Sequence, residues 1–311
     1  MLRRHFGFAA FAAAQQAQPP QPETFVYKVV AGLEIKLDVW PASAAGRLPV
    51  AVWIHGGALI MGSRALSPNT RVLKALQGAG FRVISIDYRL APETKLPGIV
   101  EDVEDAFRAI RNRAGEWNID PGRLVVSGGS AGGYLTLTAG FRVKPRPRAL
   151  AAFWGYGDIV GEWYSRPDPF YLKSKAVTKE EALAAVGQTA ISEPPPKNSR
   201  GAFYLYCRQQ GIWPKEVAGH DPDREDKWFD AYSPIRNVTR DYPPTMLVHG
   251  TADTDVPHEQ SVLMAAKLRA ANVEHRFVSV PEGGHGIGNI APVEQDRIYA
   301  EAAAFLRKHV E

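Results

Sequence analysis

The chain has 311 residues, of which 45% are hydrophobic, 23% charged and 10% aromatic, a composition that allows one or two domains and excludes wholesale disorder and a polytopic membrane protein. Lys+Arg exceed Asp+Glu only by 37 to 33, a formal charge of +4, too little to build a nucleic-acid surface, so no nucleic-acid partner is expected. The single cysteine, Cys207, excludes an intrachain disulfide and a multi-cysteine zinc site, and it reads as inert.

In chain order, Arg3 and Arg4 precede an uncharged apolar run, Phe6 to Ala14, that ends in Ala12-Ala13-Ala14, the small-x-small form of a cleavage site. This architecture predicts a signal peptide over residues 1–14 and a secreted or periplasmic protein, and Arg3-Arg4-His5-Phe6 resembles a twin-arginine export signal. The alternative is an alanine-rich extension on a cytoplasmic chain. The run is too short to span a bilayer, so no stable membrane insertion is expected. Residues 15–24, rich in Gln and Pro at their start, read as a disordered lead-in.

From Phe25 onward, short apolar β-branched runs alternate with amphipathic stretches. Strands are predicted at 25–30, 33–40, 49–54, 81–87, 122–127, 149–153, 245–249 and 275–280, several so continuously apolar that both faces must be buried. Helices are predicted at 64–80, 98–116, 130–142, 258–272 and 292–309, with stripes such as Val103, Phe107, Ile110 and Ile298, Ala302, Phe305 at helical spacing. The pattern predicts an α/β architecture: a mostly parallel eight-stranded sheet with helices on both faces, built from residues 25–154 and 242–311.

The alternation fails between, over 155–241, which reads as a helical insertion. Thr178 and Glu181 form a capping-box pattern that opens a short helix, which Gly187 is expected to close. Pro194-Pro195-Pro196 reads as a loop. Aromatic residues crowd into 153–232, where Trp154, Trp163, Phe170, Phe203, Trp213 and Phe229 either form a cap over a site or simply pack a small subdomain onto the body.

Chemistry is suggested where apolar strands run into glycine-rich turns. Gly128-Gly129-Ser130-Ala131-Gly132 is a Gly-x-Ser-x-Gly sequence between a predicted strand and a predicted helix, the context of a nucleophile elbow. Gly128 and Gly132 leave room for the sharp turn, and the helix start aims the Ala131 N–H at a developing oxyanion. Upstream, His55-Gly56-Gly57-Ala58 follows another buried strand, and Gly56 and Gly57 are candidate further oxyanion donors. His55 reads as a residue that orients this loop.

A nucleophilic serine needs a base, and the base needs a carboxylate. His285, in Gly283-Gly284-His285-Gly286 between the last strand and the last helix, is the candidate base. His249 reads as packed or loop-bonding, and His5, His220, His258, His275 and His309 as surface residues. The loop after the seventh strand offers two acids, Asp253 and Asp255. Three such loops converge at one sheet edge, as ligand sites of open α/β sheets do.

HGGALIMGS at 55–63, DYRLAPE at 87–93, GGSAGG at 128–133, HGTADTDVP at 249–257 and GGHG at 283–286 together resemble the hormone-sensitive-lipase-like and bacterial acetyl-esterase members of the α/β-hydrolase superfamily. The acid loop is similar to that of feruloyl- and acetylxylan-type esterases. The resemblance covers residues 25–311 and implies a triad of Ser130, Asp253 and His285, with 87–93 as a structural buttress of the oxyanion loop. One departure is Ala58, which stands where a third glycine would complete HGGG. The expected function is hydrolysis of carboxylic esters, small or carbohydrate-linked, through an acyl-enzyme, with no metal or organic cofactor. A serine exopeptidase of the same fold and a non-catalytic ligand-binding protein are the alternatives.

Overall fold

Residues 21–42, 44–195 and 200–311 are described in a computed structural model of the chain. The expected signal peptide, the lead-in up to residue 20, and Pro196 lie outside them. Eight strands form one sheet: β1 (Glu23–Val30), β2 (Leu33–Val39), β3 (Leu48–Ile54), β4 (Arg82–Ile86), β5 (Ile119–Gly129), β6 (Leu150–Phe153), β7 (Thr245–Gly250) and β8 (His275–Val280), in the order β1-β2-β4-β3-β5-β6-β7-β8. β2 runs antiparallel to β1 and β4, and from β4 to β8 every neighbouring pair is parallel. β1 opens at Glu23, inside the stretch expected as lead-in, because Glu23 and Thr24 pair with Val39 and Asp38.

Ten α-helices accompany the sheet among the described residues: α1 (Arg71–Gly78), α2 (Leu96–Asn112), α3 (Ala131–Arg142), α4 (Glu162–Ser165), α5 (Lys179–Ala184), α6 (Gly201–Gln210), α7 (Trp213–Ala218), α8 (Pro222–Glu225), α9 (Glu259–Ala270) and α10 (Pro292–Lys308). Side-chain alternation along β3 shows how the sheet divides the core. Val50, Val52 and Ile54 join a cluster with Val103 and Phe107 of α2 and Leu135 of α3, while Ala51 joins Val72 of α1 and Leu306 of α10 on the opposite face. Each large apolar side chain so buried contributes about 1.5–3 kcal/mol.

Two predicted helices are corrected. The helix expected over 64–80 forms only at 71–78, because Arg64 is held elsewhere: its backbone N–H donates to Asp87 and its guanidinium to Asp38 and Asp87. The helix opened by the Thr178–Glu181 capping box ends at Ala184, and Gly187 instead donates its N–H to Glu93 at 2.7 Å. In α10 the buried stripe runs Ile298, Ala302, Leu306, one residue beyond the expected Phe305.

Four of the parallel strands deliver loops to one edge of the sheet: β3 into 55–62, β5 into Ser130, β7 into 251–258 and β8 into 281–291. Chain order reverses between β3 and β5, which places this edge at a topological switch point. Between β6 and β7 the chain leaves the sheet and carries α4 to α8.

Candidate active site

Ser130 sits between β5 and α3 with φ 58° and ψ −123°, a conformation L-residues rarely adopt. Its N–H is held by the Phe153 carbonyl at 2.9 Å. The flanking glycines are sterically required: a Cβ on Gly132 would collide with the Ile54 carbonyl, and one on Gly128 with the Gly132 carbonyl. The turn thereby lifts the serine hydroxyl out of the sheet edge.

Three distant side chains meet there. His285 Nε2 lies 3.0 Å from Ser130 Oγ, and His285 Nδ1 lies 2.8 Å from Asp253 Oδ2. Since Asp253 can only accept, Nδ1 carries the proton in the neutral ring and Nε2 is left to accept from the serine hydroxyl. The second oxygen of Asp253 accepts from the N–H groups of Asp255 at 2.9 Å and Val256 at 3.0 Å. His249, expected as packed or loop-bonding, is fully buried at the end of β7 and bonds the acid loop. Its Nε2 lies 3.2 Å from Asp253 Oδ2 and 3.0 Å from the Val256 carbonyl, both acceptors, while Nδ1 faces the Ser261 hydroxyl at 2.8 Å. Burial alone would raise the Asp253 pKa, yet hydrogen bonds from His249, His285 and the Val256 amide hold it well below the usual carboxylate range. Burial pulls the His285 pKa down, but Asp253 and Asp255 outweigh it and leave the imidazole above its ordinary value.

Opposite the histidine, Gly56 packs against the elbow so closely that a Cβ there would stand 2.8 Å from the Gly129 carbonyl and 3.2 Å from Ser130 Cβ. Among the described residues, the N–H groups of Gly56, Gly57 and Ala131 donate to no protein acceptor. The loop behind them is fixed from several sides. Ile60 and Met61 both donate to the Gly57 carbonyl at 2.9 Å, Ala91 N–H donates to Leu59 O at 2.8 Å, and Trp213 Nε1 of α7 donates to Ala58 O at 3.0 Å. Ala58, in the place of a third glycine, takes a left-handed φ of 55°. His55 is buried, stacks on Tyr88 with ring centroids 4.2 Å apart, and bonds the Gly56 carbonyl through Nδ1 at 2.7 Å. Burial and the Arg64 charge push it down to about 4, against the pull of that carbonyl.

The 87–93 segment is a run of buried polar contacts under this loop. Tyr88 donates to the His55 carbonyl at 3.0 Å, Arg89 clasps Asp102 with Nε and Nη2 both at 2.7 Å, and Glu93 pairs with Arg200. The acids Glu101, Asp102 and Asp105 lie close enough together to share a cation, but Lys28 Nζ already bridges all three. Of the other described histidines, expected at the surface, all four are partly buried: His220 stacks on Trp228, His258 bonds Ser279, His275 bonds the Val273 carbonyl and His309 packs on Phe305; none of the four reaches Ser130, and His5 lies outside the described residues. Cys207 is buried on α6, and burial pushes its thiol far up, away from reactivity. A concavity among Arg111, Arg148 and Tyr242 opens at the other edge of the sheet and holds none of these residues.

The BD-FAE family model matches residues 37–268. The chain belongs to the BD-FAE family. Similar to this BD-FAE member are the esterase LipC from Mycobacterium tuberculosis, 29% identical over 80% of the chain and 56% of LipC, and the non-reducing polyketide synthase ausA from Aspergillus calidoustus, 29% identical over 95% of the chain and 14% of the synthase. The chain thus spans only about half, or less, of these curated relatives. Among solved structures, a protein of unknown function from Staphylococcus aureus Mu50 is 23% identical with a TM-score of 0.77 over 93% of this chain and 100% of that one. An alpha/beta hydrolase superfamily protein from Enterococcus faecalis is 22% identical with a TM-score of 0.72 over 92% and 98%. The fold is that of an α/β-hydrolase. No helix among the described residues is long and apolar enough to cross a membrane.

Proposed function

We propose that this BD-FAE member is a serine carboxylesterase that hydrolyses small or carbohydrate-linked acyl esters through an acyl-enzyme. The observation that carries the reading is the unbroken relay from Ser130 Oγ through His285 to Asp253, at 3.0 and 2.8 Å, on a strained elbow. Ser130 Oγ attacks the ester carbonyl as its proton passes to His285 Nε2, and Asp253 stabilises the imidazolium that forms. The oxyanion is received by the idle N–H groups of Gly56, Gly57 and Ala131, each donor worth about 2.7–4 kcal/mol in the transition state. His285 then protonates the departing alcohol, and water repeats the sequence on the acyl-enzyme. Membership of the family and the similarity to an esterase of known name support the ester as substrate.

Residues 155–241 are proposed as the cap over this site. Support comes from Trp213, which grips the oxyanion loop, and from Arg208, which bonds the acid loop at Asp255.

The test is a panel of p-nitrophenyl esters from acetate to decanoate, with acetylated xylan and a feruloyl ester, against the natural chain and Ser130→Ala. Turnover of at least one ester that Ser130→Ala reduces by about 10³-fold or more is expected. Equal turnover by the two proteins overturns the proposal.

A further inference from the structure

Asp255 shares the acid loop with Asp253 but faces the other side of the imidazole. Its Oδ2 stands 3.3 Å from His285 Nε2, the same nitrogen that lies 3.0 Å from Ser130 Oγ. Its Oδ1 is saturated from the insertion: it accepts from Tyr171 Oη at 2.6 Å, from Tyr204 Oη, and from Arg208 Nη1 at 3.0 Å. Arg208 is itself immobilised. It is 1% exposed, bonds the Asp255 carbonyl at 2.9 Å and the Asp168 carboxylate, and lies 4.6 Å from the centre of the Tyr171 ring and 4.9 Å from that of Tyr164. One carboxylate oxygen is therefore pinned and the other is presented to the reacting nitrogen.

While His285 is neutral, Nε2 carries a lone pair and Asp255 Oδ2 has nothing to accept from it. Once a proton adds to Nε2, from solvent or from Ser130, the pair becomes a charge-assisted hydrogen bond at hand. We propose that Asp255 is a positioning residue that captures the Nε2 proton of the imidazolium, which retires the base at low pH and steadies the charge formed when Ser130 is deprotonated. This rests on the reading of His285 as the general base.

The groups around the imidazole agree with that assignment. From the acid loop come Asp253 on Nδ1 and Asp255 on Nε2; from the end of β7, His249 behind Asp253; and from the elbow, the Ser130 hydroxyl. From the insertion come Arg208 with its partner Asp168, and the phenols of Tyr164, Tyr171 and Tyr204. Beyond β6, Trp154 presents its ring at 66° to the imidazole, 6.4 Å between centroids. Arg208 opposes the imidazolium, yet it is shared between two acids, and both carboxylates that touch the ring favour its charged form.

The direct test is an NMR titration of His285 in Ser130→Ala and in Ser130→Ala/Asp255→Asn, with melting curves to show that both fold. Asparagine keeps an oxygen for the two tyrosines and removes the charge. The titration midpoint should fall by about one pH unit, a tenfold change in proton affinity. In the catalytically intact background, the acid limb of kcat/KM for Asp255→Asn should move to lower pH by the same amount while the plateau falls, so that the two profiles cross. A merely structural loss lowers the plateau and leaves the limb in place. An unchanged midpoint overturns the proposal. If the chain hydrolyses no ester, the proposed function fails, but the titration still reads Asp255. If Asp255→Asn does not fold, Ser130→Ala alone decides. Asp255 is then the remaining acceptor on Nε2, so the imidazolium proton should exchange slowly below the midpoint, and fast exchange contradicts the proposal.

Discussion

At Ser130 a left-handed backbone and two glycines that cannot carry a Cβ place one hydroxyl 3.0 Å from an imidazole. The Asp253 carboxylate fixes which nitrogen of that ring is free to accept, so Asp253→Asn, which can present a donor to Nδ1, should cost about 10⁴-fold in kcat with the fold intact. Steady-state kinetics beside a melting curve checks this; a loss below tenfold removes Asp253 from the relay. His285 must be unprotonated to accept from Ser130, and its pKa is raised, so activity should fall on acidification with a midpoint above 6.5. A kcat/KM profile that stays flat down to pH 6 contradicts that. His55 has a different linkage. It is buried and pushed down to about 4, so between about pH 4 and 6.5 the unfolded chain binds the proton that the folded chain refuses. Its contribution is therefore present above 6.5 and lost as pH falls, about 2 kcal/mol between pH 7 and 5. Urea melts at those two pH values should show His55→Asn losing less stability on acidification than the natural chain; equal losses refute the assignment.

At the scale of elements, the proposed oxyanion loop is tied to α7. Trp213 is 1% exposed and its Nε1 is the side-chain donor to Ala58 O. Trp213→Phe keeps most of the packing but leaves that carbonyl without its donor, a cost of about 1–3 kcal/mol. The amides of Gly56 and Gly57 lose their exact placement, so kcat should drop by about 10–10² with KM little changed. A fall in stability with kcat unaltered would make Trp213 purely structural. Element ends also show where the sequence was readable. α2 and α10 follow their apolar stripes because burial against the sheet decides them locally, whereas α3 is buried on every side from Ala131 to Gly140 and α9 turns Gln260 and Ser261 inward beside Met264 and Leu268. The first turns expected of α1 are absent because Arg64 is committed to Asp38 and Asp87, partners far along the chain that no local pattern reveals.

For the molecule as a whole, the fold was legible because strand–helix alternation and the right-handed crossover leave few arrangements of a parallel sheet. That Ser130, Gly56 and His285 would meet at one sheet edge was legible because each follows a buried strand with glycines beside it. The choice between Asp253 and Asp255 was not legible from spacing, since both lie in one loop, and only the folded chain sends them to opposite nitrogens. Likewise the grip of Arg208, Tyr171 and Tyr204 on that loop joins residues that nothing in the intervening sequence links. The core on the α2 face is continuous from Val52 to Phe107, so Phe107→Ala should cost about 3–5 kcal/mol in a urea melt, without moving the pH profile of the remaining folded enzyme. The central claim is that one hydroxyl, activated through an imidazole, does the chemistry. Fluorophosphonate labelling followed by peptide mass spectrometry tests it most directly: one adduct on Ser130, lost in His285→Ala, is predicted, and an unlabelled Ser130 in a folded protein that still cleaves esters would contradict it.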